Sequence, residues 1–268
     1  MRELCAVVLA AGEGRRLRPL TELVPKPLCP VDGVPLLDRT LDRLAGLGLA
    51  GAAHVAVNAC YLADAIVAHL DGRVHVSVEP PPALGTGGGV ANLRDWIAGR
   101  DVLVCNADGY LAGGAPYAEL LAGWAGDRPR LLVVPDATRG DFPSAGPRTL
   151  RFAGASLAPW PLVAALPTGA SELNVPWRHA DAAGRLDLVR YDGVFLDCGT
   201  PADYLAANLH ASGGASVVGA GATVAGTLTR SVVWPGATVR AGEHLVDAVR
   251  AVAPDGSPVT VRAGRPAA

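Results

Sequence analysis

The chain has 268 residues, of which half are apolar and only 5% aromatic, and its formal net charge is −2. That length suits one large α/β domain with a small appendage. The composition argues against a nucleic-acid binder, because no segment clusters Lys and Arg as a phosphate-backbone binder would. It also argues against a helical membrane protein, because no apolar run reaches the roughly 18 residues a span needs. The opening MRELCAVVLAAGEG is too short in its apolar part for a signal peptide. The five cysteines (Cys5, Cys29, Cys60, Cys105, Cys198) contain no CxxC pair and fit a reducing cytoplasm. The six histidines show no zinc-ligand spacing. The basic residues are 22 Arg and a single Lys, Lys26, set between Pro25 and Pro27. In a chain this biased toward Arg, one retained ammonium points to a place that a guanidinium does not fill.

The apolar run 4–10 (LCAVVLA) predicts a buried parallel strand that ends at Gly12. Residues 35–48 place Leu37, Leu41, Leu44 and Leu47 at helical spacing, with Gly48 as the stop. A strand is expected over 54–59, a helix over 62–70 and an alternating strand over 74–79. Next come a helix over 89–97, an apolar strand over 101–108 with a polar end, a helix over 118–126 and a strand over 130–136. Residues 137–185 are irregular and rich in Pro and Gly, apart from a strand near 149–155, and 202–212 reads as a helix. This alternation implies a mostly parallel sheet covered on both faces, with ligands beyond the carboxyl ends of its strands. From 216 to 249 small aliphatic residues and glycines recur about every six residues, as in Val218-Gly219-Ala220-Gly221 and Val233-Trp234-Pro235-Gly236. Such a period is the sign of a parallel β-helix. An element of that size must pack on the main domain or on a second subunit, so a homodimer is one arrangement it allows.

The most informative string is LAAGEGRRLRPLTELVPKP (9–27). Gly12 and Gly14 let backbone N–H groups approach a phosphate, while Arg15, Arg16 and Arg18 add charge and Lys26 returns to the same region. A dinucleotide fingerprint needs GxGxxG, but GEGRRL ends in leucine, and no Walker GxxxxGK[ST] string occurs.

This string resembles the LAAGxGTRLRPLT…PKP signature of the sugar-1-phosphate nucleotidylyltransferases, close to the mannose-1-phosphate guanylyltransferase and N-acetylmuramate-1-phosphate uridylyltransferase branches. It departs at Arg15, where the family usually has Thr. Four further segments match in order. Leu84-Gly85-Thr86-Gly87-Gly88 is similar to LGTGG, and Asn106-Ala107-Asp108 to NGD with Ala107 for glycine. Phe152-Ala153-Gly154 is similar to YxG, and Leu196-Asp197-Cys198-Gly199-Thr200-Pro201 to WxDIGTP, followed by Tyr204 and Asn208.

The resemblance implies a three-layer Rossmann-like α/β sandwich with a mostly parallel mixed sheet over 1–213. A short left-handed β-helix of hexapeptide repeats would follow over 214–262. It implies a cytoplasmic enzyme that takes a nucleoside triphosphate and a sugar 1-phosphate. Leu9, Ala11, Gly12, Gly14, Arg15, Gly85, Thr86, Gly87 and Asn106 would contact the nucleotide. Gly154, Glu172 and Asp108 would contact the sugar. Arg16 would grip the triphosphate and Lys26 the sugar phosphate, while Asp108 and Asp197 would hold Mg²⁺. Read alone, either aspartate equally caps a turn after a strand. Two anions must meet in such a reaction, so positive charge has to offset their repulsion and geometry has to align the attack.

One departure matters. Many members carry a second lysine in an EKP-like segment between the two aspartates, and here Lys26 is alone, leaving Arg139, Arg148 or Arg151 as substitutes. Two other readings follow. One is a phosphocholine-type cytidylyltransferase, against which the tail at 216–249 counts. The other is a non-catalytic nucleotide-binding regulatory homologue, against which Arg16, Lys26, Asp108 and Asp197 count.

Overall fold

The computed structural model describes residues 3–136, 138, 140–142 and 149–263. The described residues form two compact units. One comprises the chain up to Gly12 together with Thr40–Phe195, and the other Glu13–Arg39 together with the chain from Leu196 onward.

The first unit is built on a seven-stranded sheet. In chain order its strands are β1 (Leu4–Leu9), β2 (Val55–Ala59), β3 (His75–Val78), β4 (Asp101–Asn106), β5 (Arg130–Asp136), β6 (Thr149–Ala158) and β7 (Asp187–Arg190). Across the sheet the order is β7-β5-β6-β4-β1-β2-β3. β6 alone among them runs antiparallel to its neighbours, pairing Val104 with Ser156 on one side and Val133 with Phe152 on the other. β1 lies near the middle, parallel to β2 and β4, and Cys5 to Val8 are all fully buried. Burial on both faces explains why the run LCAVVL carries no alternation. On one face Cys5, Val7, Val102, Val104, Leu131 and Val133 pack with Val90, Leu93, Ile97, Val163 and Trp177 in a single cluster.

The expected mostly parallel mixed sheet is therefore present. Two helices arise where the sequence offers no pattern, Trp160–Ala165 and Asn174–Ala182. Each buries one residue well, Val163 and Trp177 respectively, so neither carries an apolar stripe. The segment expected as a helix from residue 89 starts four residues earlier, at Gly85, and runs to Asn92.

The second unit holds the Gly-rich string after Gly12, a small hairpin (Pro30–Val31 with Val34–Pro35), the helix Pro201–Ala211 and the C-terminal strands. These strands pair in parallel: Val217–Val218 with Val232–Val233, Thr223–Val224 with Thr238–Val239, and Thr227–Thr229 with His244–Val246. Val232 then pairs with Val249, and an antiparallel strand, Pro258–Arg262, closes that edge. Val233, Ala237, Val239, Leu245 and Ala248 fill the interior between them. Among the described residues no helix is long and apolar enough to cross a membrane.

Candidate active site

In the first unit a cleft of about 210 Å³ opens beyond the carboxyl ends of β1 and β4. Eight of the residues singled out from the sequence line it: Leu9, Ala11, Gly12, Gly85, Thr86, Asn106, Asp108 and Glu172. This is where ligands bind in open α/β sheets. The position follows from pairing. Leu9 and Asn106 are register partners at the ends of their strands, and the Ala107 N–H donates to the Leu9 carbonyl at 3.0 Å.

Two further residues shape the cleft. Asn58 is the penultimate residue of the buried strand β2, and Glu79 follows β3; each is only 2% exposed. The Asn58 Oδ1 accepts the Ala10 N–H at 2.8 Å, and its Nδ2 donates to Glu79 Oε1 at 2.7 Å. The other Glu79 oxygen accepts the Leu84 N–H at 2.9 Å. One buried amide–carboxylate pair thus fixes the chain before Ala11-Gly12 and the chain before Gly85-Thr86, which are opposite stretches of the lining. A polar side chain inside an apolar strand was the available signal for Asn58, because a buried polar group has to earn its place through hydrogen bonds.

The glycines of LGTGGG serve helix packing more than loop freedom. A Cβ on Gly88 would stand 2.4 Å from the Gly169 carbonyl, and one on Gly89 the same distance from Asn58 Nδ2. Gly87 is buried and donates its N–H to the Ser171 carbonyl, as does Gly88. Glu172 caps the same helix end from outside its sequence: one carboxylate oxygen accepts from the Thr86 N–H at 3.2 Å and the Thr86 hydroxyl at 2.6 Å. Gly154 has φ +78, and a Cβ there would meet Asn106 Cβ at 3.6 Å.

In the second unit Gly14 adopts φ +62, and a Cβ would press on Thr21 Cγ2 at 2.9 Å and Lys26 Cβ at 3.1 Å. Only glycine lets the Lys26 stem pass so close. Lys26 is 6% exposed, and its Nζ donates to the Asp197 carbonyl at 2.6 Å. The Asp197 carboxylate accepts the Gly199 N–H at 2.9 Å and lies 3.9 Å from the largely exposed Arg16 guanidinium. Arg16, Lys26 and Asp197 are therefore neighbours. Cys29 lies below them, and burial pushes its thiol to about 12 against the pull of the Lys26 charge. Arg15 points elsewhere: its guanidinium forks onto Glu13 at 2.7 and 2.8 Å, and Glu13 is also 3.3 Å from Arg18. That fork holds the Glu13 carboxyl below its usual range.

Of the three arginines weighed against the missing lysine, Arg139 and Arg148 lie outside the described residues. Arg151 in the first unit sits 3.7 Å from Asp136, with its guanidinium over the Phe195 ring.

The family profile of the MobA-like NTP transferase domain matches residues 6–218. The chain belongs to that family, and is a nucleotidyltransferase. It is 32% identical over 231 residues to the N-acetylmuramate α-1-phosphate uridylyltransferase of Caulobacter vibrioides, covering 75% of this chain and 94% of that one. It is 40% identical over 123 residues to the mannose-1-phosphate guanylyltransferase of Mycobacterium tuberculosis, a match to 43% of this chain and 32% of the other. Among solved structures, UDP-glucose pyrophosphorylase from Acinetobacter baumanii superposes with a TM-score of 0.62 at 17% identity, over 78% of this chain and 93% of its own. HddC from Yersinia pseudotuberculosis, complexed with GMP-PN, gives 0.62 at 20% identity over 78% and 99%. These two share the fold.

Proposed function

We propose that the chain joins a nucleoside triphosphate to a sugar 1-phosphate, giving an NDP-sugar and pyrophosphate. The observation that carries this reading is the convergence on one cleft of eight residues singled out from the sequence, in a chain that aligns with nearly the whole of a sugar-1-phosphate uridylyltransferase. That relative makes UTP with N-acetylmuramate α-1-phosphate the first pair to try, and the partial guanylyltransferase match makes GTP with mannose 1-phosphate the second.

In this reading the cleft takes the nucleotide, with Gly154 and Glu172 toward the sugar. An oxygen of the sugar phosphate attacks the α-phosphorus, the bond from that phosphorus to the bridging oxygen breaks, and pyrophosphate leaves with the electron pair. A phosphate monoester is already a nucleophile at neutral pH, so the reaction needs no general base. Lys26 holds the sugar phosphate, and Arg16 offsets the charge that grows toward the departing pyrophosphate. Fixed by a carbonyl, the Lys26 ammonium reaches the reaction already oriented.

Asp108 and Asp197 are the proposed Mg²⁺ carboxylates. Among the described residues no group of three or more His, Cys, Asp or Glu is placed to hold a metal alone. The donors fit Mg²⁺ all the same, since it is usually held by one or two carboxylates with water and substrate phosphates. When bound it would neutralise phosphate charge. The reading also divides the chain by role, with 1–213 for the chemistry and 214–262 as a tail. In the tail, rungs 15 residues apart (Val217 with Val232) and 17 apart (Val232 with Val249) favour a short left-handed β-helix of hexapeptide type, although each coil falls short of three full hexapeptides. A cytoplasmic location fits the five cysteines, all of them free thiols.

The test is pyrophosphate release in Mg²⁺ from a panel of triphosphates and sugar 1-phosphates. Release that needs one member of each panel, and that falls about 10²-fold in Asp108→Asn and Asp197→Asn, supports the reading. No release with any pair, with triphosphate binding intact, favours the regulatory homologue.

A further inference from the structure

Within the second unit, the position of Lys26 is tied to the C-terminal tail. Lys26 opens a single 3-10 turn (Lys26–Leu28) that runs straight into the hairpin Pro30–Val31/Val34–Pro35. The hairpin turns at Asp32 and Gly33, with φ of +49 and +78, a left-handed pair suited to a two-residue connection. The helix Pro201–Ala211 grips this hairpin. The Asn208 Oδ1 accepts the Asp32 N–H at 3.0 Å, and the Tyr204 hydroxyl donates to the Pro30 carbonyl. The same hydroxyl accepts the Trp234 indole N–H at 2.9 Å, and the two rings meet edge to face with centroids 6.4 Å apart. Tyr204 and Asn208 are fully buried and Trp234 is 5% exposed. Trp234 is in turn pinned within the tail, its N–H donating to the Arg250 carbonyl at 2.8 Å and its carbonyl accepting the Ala237 N–H at 3.1 Å.

The apolar flank of the same loop is less firmly backed. Leu23, Val24 and Leu28, on either side of Lys26, border a cavity of about 470 Å³ whose far wall includes Trp234 and Pro235. Leu23, Val24 and Leu28 stay half-buried along this open recess, so packing holds this flank less firmly than it holds the buried Pro25, Lys26 and Pro27. The hairpin that follows the Lys26 turn is held by hydrogen bonds, and the one from Tyr204 leads through Trp234 to the tail.

We propose that Tyr204 and Trp234 are positioning residues for Lys26, so that the tail sets where the one ammonium of the chain stands. The consequence for catalysis rests on the reading of Lys26 as the group that holds the sugar phosphate. The tail is then part of the catalytic apparatus.

Lys26 is the only lysine, so the full chain labelled with ¹³C at lysine Cε gives one lysine resonance. Tyr204→Phe keeps the ring and deletes the shared hydroxyl; Trp234→Phe deletes the indole donor; Val246→Ala, exposed in the tail, is the control. The expected result is a moved lysine resonance in both aromatic variants and an unmoved one in the control. The KM for sugar phosphate should rise about tenfold in both, with the KM for triphosphate within about twofold. Folded Tyr204→Phe and Trp234→Phe proteins with the wild-type resonance and KM, and only a lower Tm, would overturn the proposal. Absence of pyrophosphate release from the wild-type chain would sink the enzyme reading. It leaves the positioning claim to be decided by the lysine resonance, which needs no activity.

Discussion

The two units stabilise their functional residues in opposite ways. In the first, side chains hold main chain: Asn58, Glu79 and Glu172 accept from the backbone N–H groups of Ala10, Leu84 and Thr86, and the cleft lining is fixed as a surface. In the second, main chain holds a side chain: the Asp197 carbonyl takes the Lys26 ammonium, and Arg16 is left 64% exposed. A fixed surface suits recognition of a flat base and a ribose. One pre-set cation beside an exposed one suits charge that appears only during the reaction. Recognition and charge handling should therefore be separable by mutation.

The sharpest break is Lys26→Ala. It should lower kcat/KM about 10³-fold for the productive substrate pair and leave triphosphate binding within about twofold, measured by steady-state kinetics and calorimetric titration. Lys26→Arg should not restore activity, because the buried ammonium sits against the Asp197 carbonyl at 2.6 Å and the larger planar fork does not take that place.

A smaller effect of opposite kind is expected from Glu79→Gln. Either orientation of the new amide sets an NH₂ against the Leu84 N–H or the Asn58 amide, leaving a buried donor unpaired. That costs about 1–3 kcal/mol of stability. Thermal unfolding should register the loss, and the KM for triphosphate should rise about tenfold with kcat little changed. A fall in kcat alone would show that the cleft and the charge centre are not separable in this way.

The smallest effect concerns the Arg15–Glu13 fork, which is exposed. Glu13→Ala should leave Tm unchanged and shift the triphosphate KM by about twofold or less, since exposed ion pairs count for little. A large change would support the nucleotide-contacting role that the place of Arg15 in the Gly-rich string implies.

What could be read from the sequence follows the same division. Motifs that sit in one contiguous string, such as Gly14 to Lys26 or Gly85 to Gly88, were legible because a close backbone approach dictates residue type locally. Asn58 and Glu79 escaped notice because their partners are backbone atoms 48 and 5 residues away. Tyr204 was noted as a motif residue, but its bond to Trp234 spans 30 residues and has no sequence period. The parallel sheet was legible from alternating apolar strands and helices. The helices Trp160–Ala165 and Asn174–Ala182 were not, because their prolines at 161 and 176 and their single well-buried residues give no helical stripe.

The proposed division puts triphosphate recognition and sugar-phosphate transfer in different groups of residues. Its most direct test is to titrate UTP and GTP into wild type and Lys26→Ala by calorimetry, and to follow pyrophosphate release from the same two proteins with sugar 1-phosphate and Mg²⁺. Matching triphosphate affinities are expected, with release from the wild type alone. Release at the wild-type rate from Lys26→Ala, or loss of its triphosphate binding together with its activity, would contradict it.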